Sequence, residues 1–198
     1  MKQSKSDLTK QYIVERSSAV FNTKGYMGTS MQDIMDATGL TKGGLYGNYK
    51  SKEAIAFAAF DYNVKKVMDR MSKMIVVEKN APDKLNAILN FFKSYYFEPP
   101  VAGGCPILNM AIEADDTHPG LRLKVVEALE ALRSSLIHIL KKGQSYGQIK
   151  ADADVNKFAT IFLSTIEGGI MMSKVYQDFR YLRDCIAHLS ELTEQIKT

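Results

Sequence analysis

The stretch TSMQDIMDATGLTKGGLYGNYKSKE, residues 29–53, decides the fold. It holds two short amphipathic segments separated by a turn at Gly39, where glycine permits a positive backbone angle. Ile34, Leu40 and Leu45 are spaced so that two short helices can cross and bury these side chains against a preceding helix. The pattern predicts a helix-turn-helix, whose second helix lies in the major groove of DNA.

The second short helix, over about 41–49, carries side chains suited to reading a duplex. Lys42 supplies a cation for a phosphate or a guanine edge, and Gly43 lets the start of the helix approach DNA closely. Tyr46 offers a hydroxyl for phosphate and a ring for a thymine methyl, and Asn48 can bond to adenine or to backbone oxygens. Other residues near the turn are placed to grip the phosphate backbone. The predicted DNA contacts are Thr29, Ser30, Thr41, Lys42, Gly43, Tyr46, Asn48, Tyr49 and Lys52. On this pattern alone, an ordinary helical hairpin with a solvated basic face is the alternative.

The charge distribution favours the same segment. The chain has 198 residues and a net charge of +4. Residues 1–52 hold eight basic and four acidic side chains, whereas the remainder holds 18 of each. All of the net positive charge therefore lies in the first quarter, which favours a polyanionic partner there.

Helical signals continue along the rest of the chain, and strand signals are missing, since no regular alternation is bounded by turn pairs. The sequence therefore predicts an all-α protein of about nine helices. The predicted helices cover about 5–24, 30–39, 41–49, 51–79, 82–97, 106–114, 120–145, 154–174 and 179–196.

Composition and motifs argue against other classes of protein. No apolar run approaches the roughly 20 residues needed to span a bilayer, and the polar start MKQSKSDLTK lacks the features of a signal peptide. Two cysteines are too few for a disulfide scaffold and suit a reducing compartment. The three histidines are scattered without metal-ligand spacing, and no catalytic or nucleotide-binding motif occurs. We therefore expect a cytoplasmic protein with no membrane partner, no metal, no cofactor and no enzymatic activity.

The helix-turn-helix segment resembles the DNA-binding region of the TetR family of bacterial repressors. The family pattern is approximately Gly-Tyr/Phe, Thr-Ser/Thr, then Ser/Thr-Lys-Gly-x-Leu-Tyr-x-x-Phe-x-Ser-Lys-Glu. The matching residues here are Gly25-Tyr26, Thr29-Ser30, Thr41-Lys42-Gly43-Gly44-Leu45-Tyr46, Tyr49 and Ser51-Lys52-Glu53. The chain departs from the pattern at Gly47-Asn48, where members often have aromatic or histidine residues. The resemblance covers about residues 8–60 and implies a three-helix domain, residues 1–52, that binds double-stranded DNA.

The resemblance also implies that residues 53–198 form a helical domain for ligand binding and dimerisation. TetR-type proteins hold a small-molecule inducer among the fourth to eighth helices. Under this resemblance, the candidate pocket residues are Tyr95, Met110, Phe158 and Phe162. From the residues alone, most of the aromatic side chains in 91–97 are expected in the core.

Cys105 is a second candidate for sensing. It lies in Gly103-Gly104-Cys105-Pro106, at the expected start of a helix, where the helix dipole lowers the pKa of a thiol. A buried, unreactive cysteine is the alternative. The run GGCPILNMAIEADDTHPGLR is similar to a TetR subgroup with Gly-Cys-Leu/Pro at the start of the sixth helix and an Ala/Ser-x-Glu downstream. Some members sense electrophiles or oxidants through this cysteine with a lysine of the eighth helix nearby, and Lys174 occupies the matching place.

The last two predicted helices have a coiled-coil-like apolar spacing. The residues that carry it are Val155, Phe158, Phe162, Ile166, Gly168-Gly169, Phe179, Leu182, Ile186 and Leu189. This spacing indicates more apolar surface than one monomer needs, although a core within one chain is the alternative. The resemblance assigns the two helices to a homodimeric four-helix interface. Two-fold symmetry would then set the recognition helices about 34 Å apart and imply a palindromic operator.

The resulting hypothesis is a TetR-type dimeric transcriptional regulator. It acts as a repressor that a small-molecule inducer, which could be an electrophile, releases from its operator by binding or by modifying Cys105. The alternative is a helical small-molecule-binding or redox-sensing module without sequence-specific DNA binding.

Overall fold

The computed structural model describes residues 4–198, and over that range it is helical apart from loops, turns and one antiparallel β-bridge between Ile149 and Lys197. Nine helices occur among these residues, which confirms the predicted all-α class and helix number. They are α1 (Lys5–Gly28), α2 (Met31–Thr38), α3 (Lys42–Tyr46), α4 (Lys52–Ile75), α5 (Ala81–Tyr95), α6 (Pro106–Ala114), α7 (Pro119–Ser145), α8 (Val155–Tyr176) and α9 (Arg180–Ile196). None of the helices in this part of the chain is long and apolar enough to cross a membrane. Lys2, one of the basic residues counted above, lies outside the described range.

Three helix ends differ from the predicted ones by three residues or more. α1 continues to Gly28, although Gly25 has non-helical angles (φ +75°) and kinks the helix where the sequence predicts its end. α3 has only five residues, because Gly47 and Asn48 form the turn that follows it. α4 ends at Ile75, and the two exposed β-branched valines that follow have low helix propensity and gain little from packing.

Contacts divide the chain into two compact units. The first unit is Met1–Val67 with Val101–Val126, and it contains α1, α2, α3, the beginning of α4, α6 and the beginning of α7. Around the helix-turn-helix, Ile34 and Leu45 are fully buried and Leu40 packs partly against them, as predicted. The other buried members of this core are Ile13, Phe21, Ile55, Ala56 and Ala59.

The second unit is Met68–Pro100 with Glu127–Thr198, and it contains the end of α4, α5, the rest of α7, α8 and α9. In this unit α9 packs against α5 and α8. Its fully buried side chains include Leu85, Phe91, Leu140, Phe162, Ile166 and Leu182. Of the aromatic residues in 91–97, Phe91, Phe92 and Tyr95 are buried, whereas Phe97 is 65% exposed.

Candidate nucleic-acid interface

Local caps fix the ends of α2 and α3. The Ser30 hydroxyl accepts the Asp33 N–H (3.1 Å) and the Asp33 carboxylate accepts the Ser30 N–H (2.8 Å), which forms a capping box at the start of α2. Gly39 adopts φ +69° and ends α2 in the left-handed conformation. The Thr41 hydroxyl then accepts the Gly44 N–H (3.2 Å) at the start of α3. The turn between the helices is therefore determined by residues within the turn itself.

The exposed face of α3 carries the residue types predicted to read DNA. Leu45 is completely buried, while Lys42 and Gly43 are exposed and Tyr46 is 43% exposed. Within the described part of the chain, no hydrogen bond or ion pair involves the Lys42 ammonium. Thr41 is also exposed beside them. One buried leucine thus holds a short helix whose other side is open to a ligand.

Asn48 and Tyr49 are half-buried in the turn after α3. The Asn48 side-chain amide donates to the Gly44 carbonyl (2.9 Å), and the Tyr49 hydroxyl donates to the Lys10 carbonyl (3.4 Å). Burial raises the pKa of the Tyr49 phenol, which keeps it protonated. Both side chains therefore use part of their hydrogen-bonding capacity within the protein.

Thr29 and Lys52 support the turn that precedes α2. Thr29 is 1% exposed, and its hydroxyl donates to the Gly25 carbonyl (2.6 Å). The Lys52 ammonium donates to the carbonyls of Tyr26 (2.8 Å) and Thr29 (2.9 Å) and lies 4.3 Å from the centre of the Tyr26 ring. The Thr29 side chain is thus not at the surface, and Lys52 has one ammonium proton left for another partner.

An ion pair joins the end of α1 to α2. The Lys24 ammonium lies 2.5 Å from a carboxylate oxygen of Asp33. This hydrogen bond, together with those from the Ser30 hydroxyl and amide, holds the pKa of Asp33 well below its usual range. The side chain that completes the capping box is therefore kept ionised.

The turn before α2 also contacts residues that the sequence pattern did not assign to the site. The Tyr26 ring meets the His118 ring edge-on, with 4.8 Å between centroids. His118 Nδ1 accepts the Leu121 N–H (3.2 Å), which leaves Nε2 to face Glu53 at 3.3 Å. Burial raises the pKa of the Tyr26 phenol, and nearby carboxylates add to the shift. His118 is far away in sequence, and no spacing pattern marked it.

The sensing candidates of the first unit are buried. Cys105 is 7% exposed and caps α6, where its sulfur accepts the Leu108 N–H at 3.5 Å. Met110 is 5% exposed and borders a cavity of about 10 Å³ together with Phe60 and Asn63. A cavity of that volume holds about one water molecule.

The other sensing candidates belong to the second unit. Tyr95 is buried against Phe91, with 5.6 Å between ring centroids. Phe158 and Phe162 are buried on α8, with 6.0 Å between their ring centroids. Lys174 is exposed in the last turn of α8. The predicted pocket residues and the predicted cysteine–lysine pair are therefore each divided between the two units. Among residues 4–198, no three His, Cys, Asp or Glu side chains are grouped so that they could hold a metal ion.

Comparisons with known proteins agree with the helix-turn-helix and extend beyond it. Residues 13–59 match the family of bacterial regulatory proteins named after TetR, and residues 81–189, more than half of the chain, match the tetracyclin repressor-like C-terminal domain. The fold is similar to the crystal structure of a TetR family transcriptional regulator from Cytophaga hutchinsonii, with a TM-score of 0.94 and 37% identity over 100% of this chain and 99% of that chain.

Two more distant proteins are also similar. The chain is 24% identical over 166 residues to the HTH-type transcriptional repressor DhaR of Mycobacterium sp. (strain GP1), which covers 84% of this chain and 82% of DhaR. A cysteine-substituted form of the TetR family regulator CifR, in complex with a 26-base-pair operator DNA, shares the fold with a TM-score of 0.74 and 20% identity, over 90% of this chain and 94% of that one. The family consists of regulators, in agreement with the prediction that the chain is not an enzyme. The chain belongs to the TetR family and is a DNA-binding transcriptional regulator.

Proposed function

We propose that the chain is a cytoplasmic repressor that binds a palindromic operator as a homodimer and leaves it when a small molecule binds or when Cys105 is modified. The observation that carries the proposal is α3, where Leu45 closes the core while Lys42, Gly43 and Tyr46 remain open. The repressor DhaR supports the direction of regulation, and the CifR complex supports operator DNA as the partner.

In this proposal α3 lies in the major groove. The Lys42 ammonium, which has no partner among the described residues, bonds to a guanine edge or a phosphate. Tyr46 contacts a phosphate or a thymine methyl, and Gly43 allows the start of the helix to approach the backbone closely. The two N-cap residues, Ser30 and Thr41, bind phosphates and set the register; the Ser30 hydroxyl turns from Asp33 to the phosphate to do so.

The remaining predicted contacts have smaller direct roles in this proposal. Asn48 and Tyr49 present their free hydrogen-bonding capacity at the edge of the interface. Thr29 and Lys52 act by holding the turn before α2, because both donate hydrogen bonds to its carbonyls. Lys52 also has one remaining ammonium proton, which binds a phosphate.

The homodimer forms through the outer face of α8 together with α9. Val155, Phe158, Phe162, Ile166, Leu182 and Leu189 are buried within the chain, so the interface uses other residues. Ile161, Gly168, Met172 and Val175 follow one another at intervals of seven, four and three residues, and each is open to solvent or free of close neighbours. An apolar row at this spacing is typical of a helix that packs against another helix.

Release from the operator follows from differential binding. An inducer that prefers a conformation with wrongly spaced recognition helices lowers operator affinity by the difference between its binding free energies for the two conformations. Tyr95, Met110, Phe158 and Phe162 remain the proposed contacts for a reversible ligand. In the covalent version, a reagent reacts with the Cys105 thiolate at the start of α6, and Lys174 assists through its positive charge.

The test of DNA binding is fluorescence anisotropy with duplexes that tile the region upstream of the protein's own gene. We expect one duplex to bind in preference to unrelated DNA, with log affinity falling by about 0.9 per phosphate contact for each log unit of salt. Lys42→Ala and Tyr46→Ala should each weaken this binding about 10-fold without unfolding the protein. Lys141→Ala, which removes an exposed lysine of α7, is the matched control.

Outcomes against the proposal are distinct. Full-strength binding by both the Lys42 and the Tyr46 variants would remove α3 as the recognition helix. Family membership does not favour the alternative, a helical ligand-binding or redox-sensing module without sequence-specific DNA binding. No binding to any duplex at low salt would nevertheless support that alternative.

The two release mechanisms are separated with the preferred duplex and a thiol-reactive electrophile. The covalent version expects release from the wild type and from Cys185→Ser but not from Cys105→Ser. Burial raises the pKa of the Cys185 thiol, so that residue should react slowly. Release that survives in Cys105→Ser would reject the covalent version and leave the reversible ligand.

A further inference from the structure

The end of α1 is held by a carboxylate from α6. After the kink at Gly25, the amides of Tyr26 and Met27 begin a new helical turn and lack the carbonyl partners of a continuous helix. Glu113 accepts both of them, through Oε2 from Tyr26 N–H (2.6 Å) and through Oε1 from Met27 N–H (2.5 Å). A Cβ on residue 25 would lie 2.5 Å from Glu113 Oε2, so glycine is needed both for the positive φ and for the approach of the carboxylate.

The beginning of α6 is attached to α1 as well. The Asn109 side-chain amide donates to the carbonyls of Asn22 (3.0 Å) and Gly103 (2.9 Å). The Asn22 amide in turn donates to the carbonyls of Ala102 (2.7 Å) and Gly104 (3.0 Å). Asn22 is 7% exposed, so these bonds are shielded from water. α6 is thus fixed on α1 at two places, about one helical turn apart on each helix.

The other end of the kinked turn is held by Lys52. Its ammonium binds the carbonyls of Tyr26 and Thr29, while the Glu113 carboxylate binds the amides at the opposite end. The segment 25–29 leads directly into Ser30, the N-cap of α2. The direction in which α2 and α3 leave α1 therefore depends on a turn that is held between two charged side chains.

We propose that Glu113 is a positioning residue for DNA binding. Its carboxylate keeps the segment 25–29 in the conformation from which α2 and α3 present Lys42 and Tyr46, and Asn109 keeps α6 in place on Asn22. Loss of this carboxylate lowers the fraction of molecules whose recognition helix is correctly placed. The apparent operator affinity falls by the same factor. Only the affinity measurement rests on the proposed DNA contacts of α3; the hydrogen bonds can be tested in the free protein.

The direction of the change in operator affinity distinguishes a positioning role of Glu113 from a simple effect of its negative charge. Removing a negative charge from a DNA-binding protein raises its affinity for a polyanion if nothing else changes. The positioning role of Glu113 requires the opposite result. Glu113→Gln keeps the shape of the side chain and one oxygen acceptor, but its NH₂ group faces the second backbone N–H, so one of the two hydrogen bonds is lost.

The experiment compares Glu113→Gln, Glu113→Ala and the control Asp116→Asn, which removes a negative charge from an exposed residue just after α6. The DNA probes are the preferred duplex from the tiling experiment and an unrelated duplex at low salt. We expect Glu113→Gln to bind the preferred duplex about 10-fold more weakly and Glu113→Ala at least as weakly, because hydrogen bonds to a charged group are among the stronger ones. Asp116→Asn should bind as tightly as the wild type or slightly more tightly.

Amide hydrogen exchange in the free protein is the second readout. Exchange should accelerate at Tyr26 and Met27 in both Glu113 variants and stay unchanged at Ile34 and Leu45. Unchanged or increased operator affinity in Glu113→Gln, with the fold retained, would overturn the proposal. The proposal would also be overturned if amide protection were lost over the whole chain together with a fall in the thermal midpoint. Glu113 would then be a general stabilising residue. If Glu113→Ala does not fold, the isosteric Glu113→Gln decides.

Discussion

The α2–α3 hairpin and the α8–α9 pair are built by opposite means. In the hairpin, polar caps set the helix ends and a single buried leucine holds α3, while the neighbouring side chains face outward. In α8–α9, two long helices approach closely at Gly169, and similar apolar residue types lie both inside the chain and on its surface. In α3, the residue that anchors the helix, Leu45, is thus distinct from Lys42 and Tyr46, which we propose contact DNA. In α8–α9, apolar residues form the core of the chain and, in our proposal, the dimer interface as well, so only the contacts tell the two roles apart.

The largest effect should come from Leu45→Ala. Leu45 is 0% exposed and is the one buried residue of α3, so truncation leaves a cavity and costs about 3 kcal/mol of the free energy of unfolding. Operator binding should be lost with it, because α3 has no other apolar anchor. Urea unfolding and anisotropy on the same samples measure both quantities.

Tyr46, the neighbour of Leu45 in α3, supplies the control that separates folding from DNA binding. Tyr46→Ala, at a half-exposed position, should change the free energy of unfolding by less than about 0.5 kcal/mol while it weakens operator binding. A Tyr46→Ala variant as unstable as Leu45→Ala would contradict the claim that folding and recognition use different residues of α3.

The adjacent glycines of α8 provide the second test. A Cβ at Gly169 would lie 3.1 Å from atoms of Cys185 and Leu182, so Gly169→Val should cost about 2 kcal/mol through overpacking. A Cβ at Gly168 meets nothing within 4 Å. Gly168→Arg should therefore leave the folded chain intact and weaken only an interface that uses this face.

Analytical ultracentrifugation checks the second half of this prediction. Gly168→Arg should sediment as a monomer at concentrations where the wild type is a dimer, whereas Ser134→Arg, at an exposed position of α7, should not change the assembly. If Gly168→Arg remains a dimer, the proposed interface on α8 is wrong. If it unfolds at every concentration, the prediction that the folded chain tolerates a side chain at position 168 is wrong.

The same contrast explains how much could be predicted from the sequence. The hairpin was predictable because its determinants are local: Gly39 supplies the turn, and Ser30 and Thr41 supply caps within three residues of their partners. The spacing of Ile34 and Leu45 was enough to predict their burial. The helix class and number followed from similar local signals.

Long-range partners could not be predicted in this way. The coiled-coil-like spacing of α8 and α9 was compatible with an interface or with a core within one chain, and the buried side chains of Phe162 and Leu182 belong to the core. Glu113 sits on a helix where a carboxylate is usually solvated, and its partners are 86 and 87 positions earlier. No periodicity encodes such a pairing, because it depends on how two distant helices pack.

The smallest effect concerns the hydrogen-bonded Asp33 carboxylate of the hairpin. Its pKa in the folded protein is depressed by Lys24 and Ser30, so it contributes stability that is fully present above the unfolded pKa of about 3.9 and is lost as the pH falls through the folded value. Asp33→Asn should therefore be less stable than the wild type at neutral pH, and the difference should shrink below about pH 4. Urea unfolding across this range measures the difference, with Asp36→Asn as the control on the same helix. Two results would contradict this prediction: a difference in stability that is equally large well below pH 4, or the same pH profile in Asp36→Asn. Either result would mean that this charged cap does not set the end of α2. The contrast between locally determined helix ends in the hairpin and long-range packing in α8–α9 would then fail.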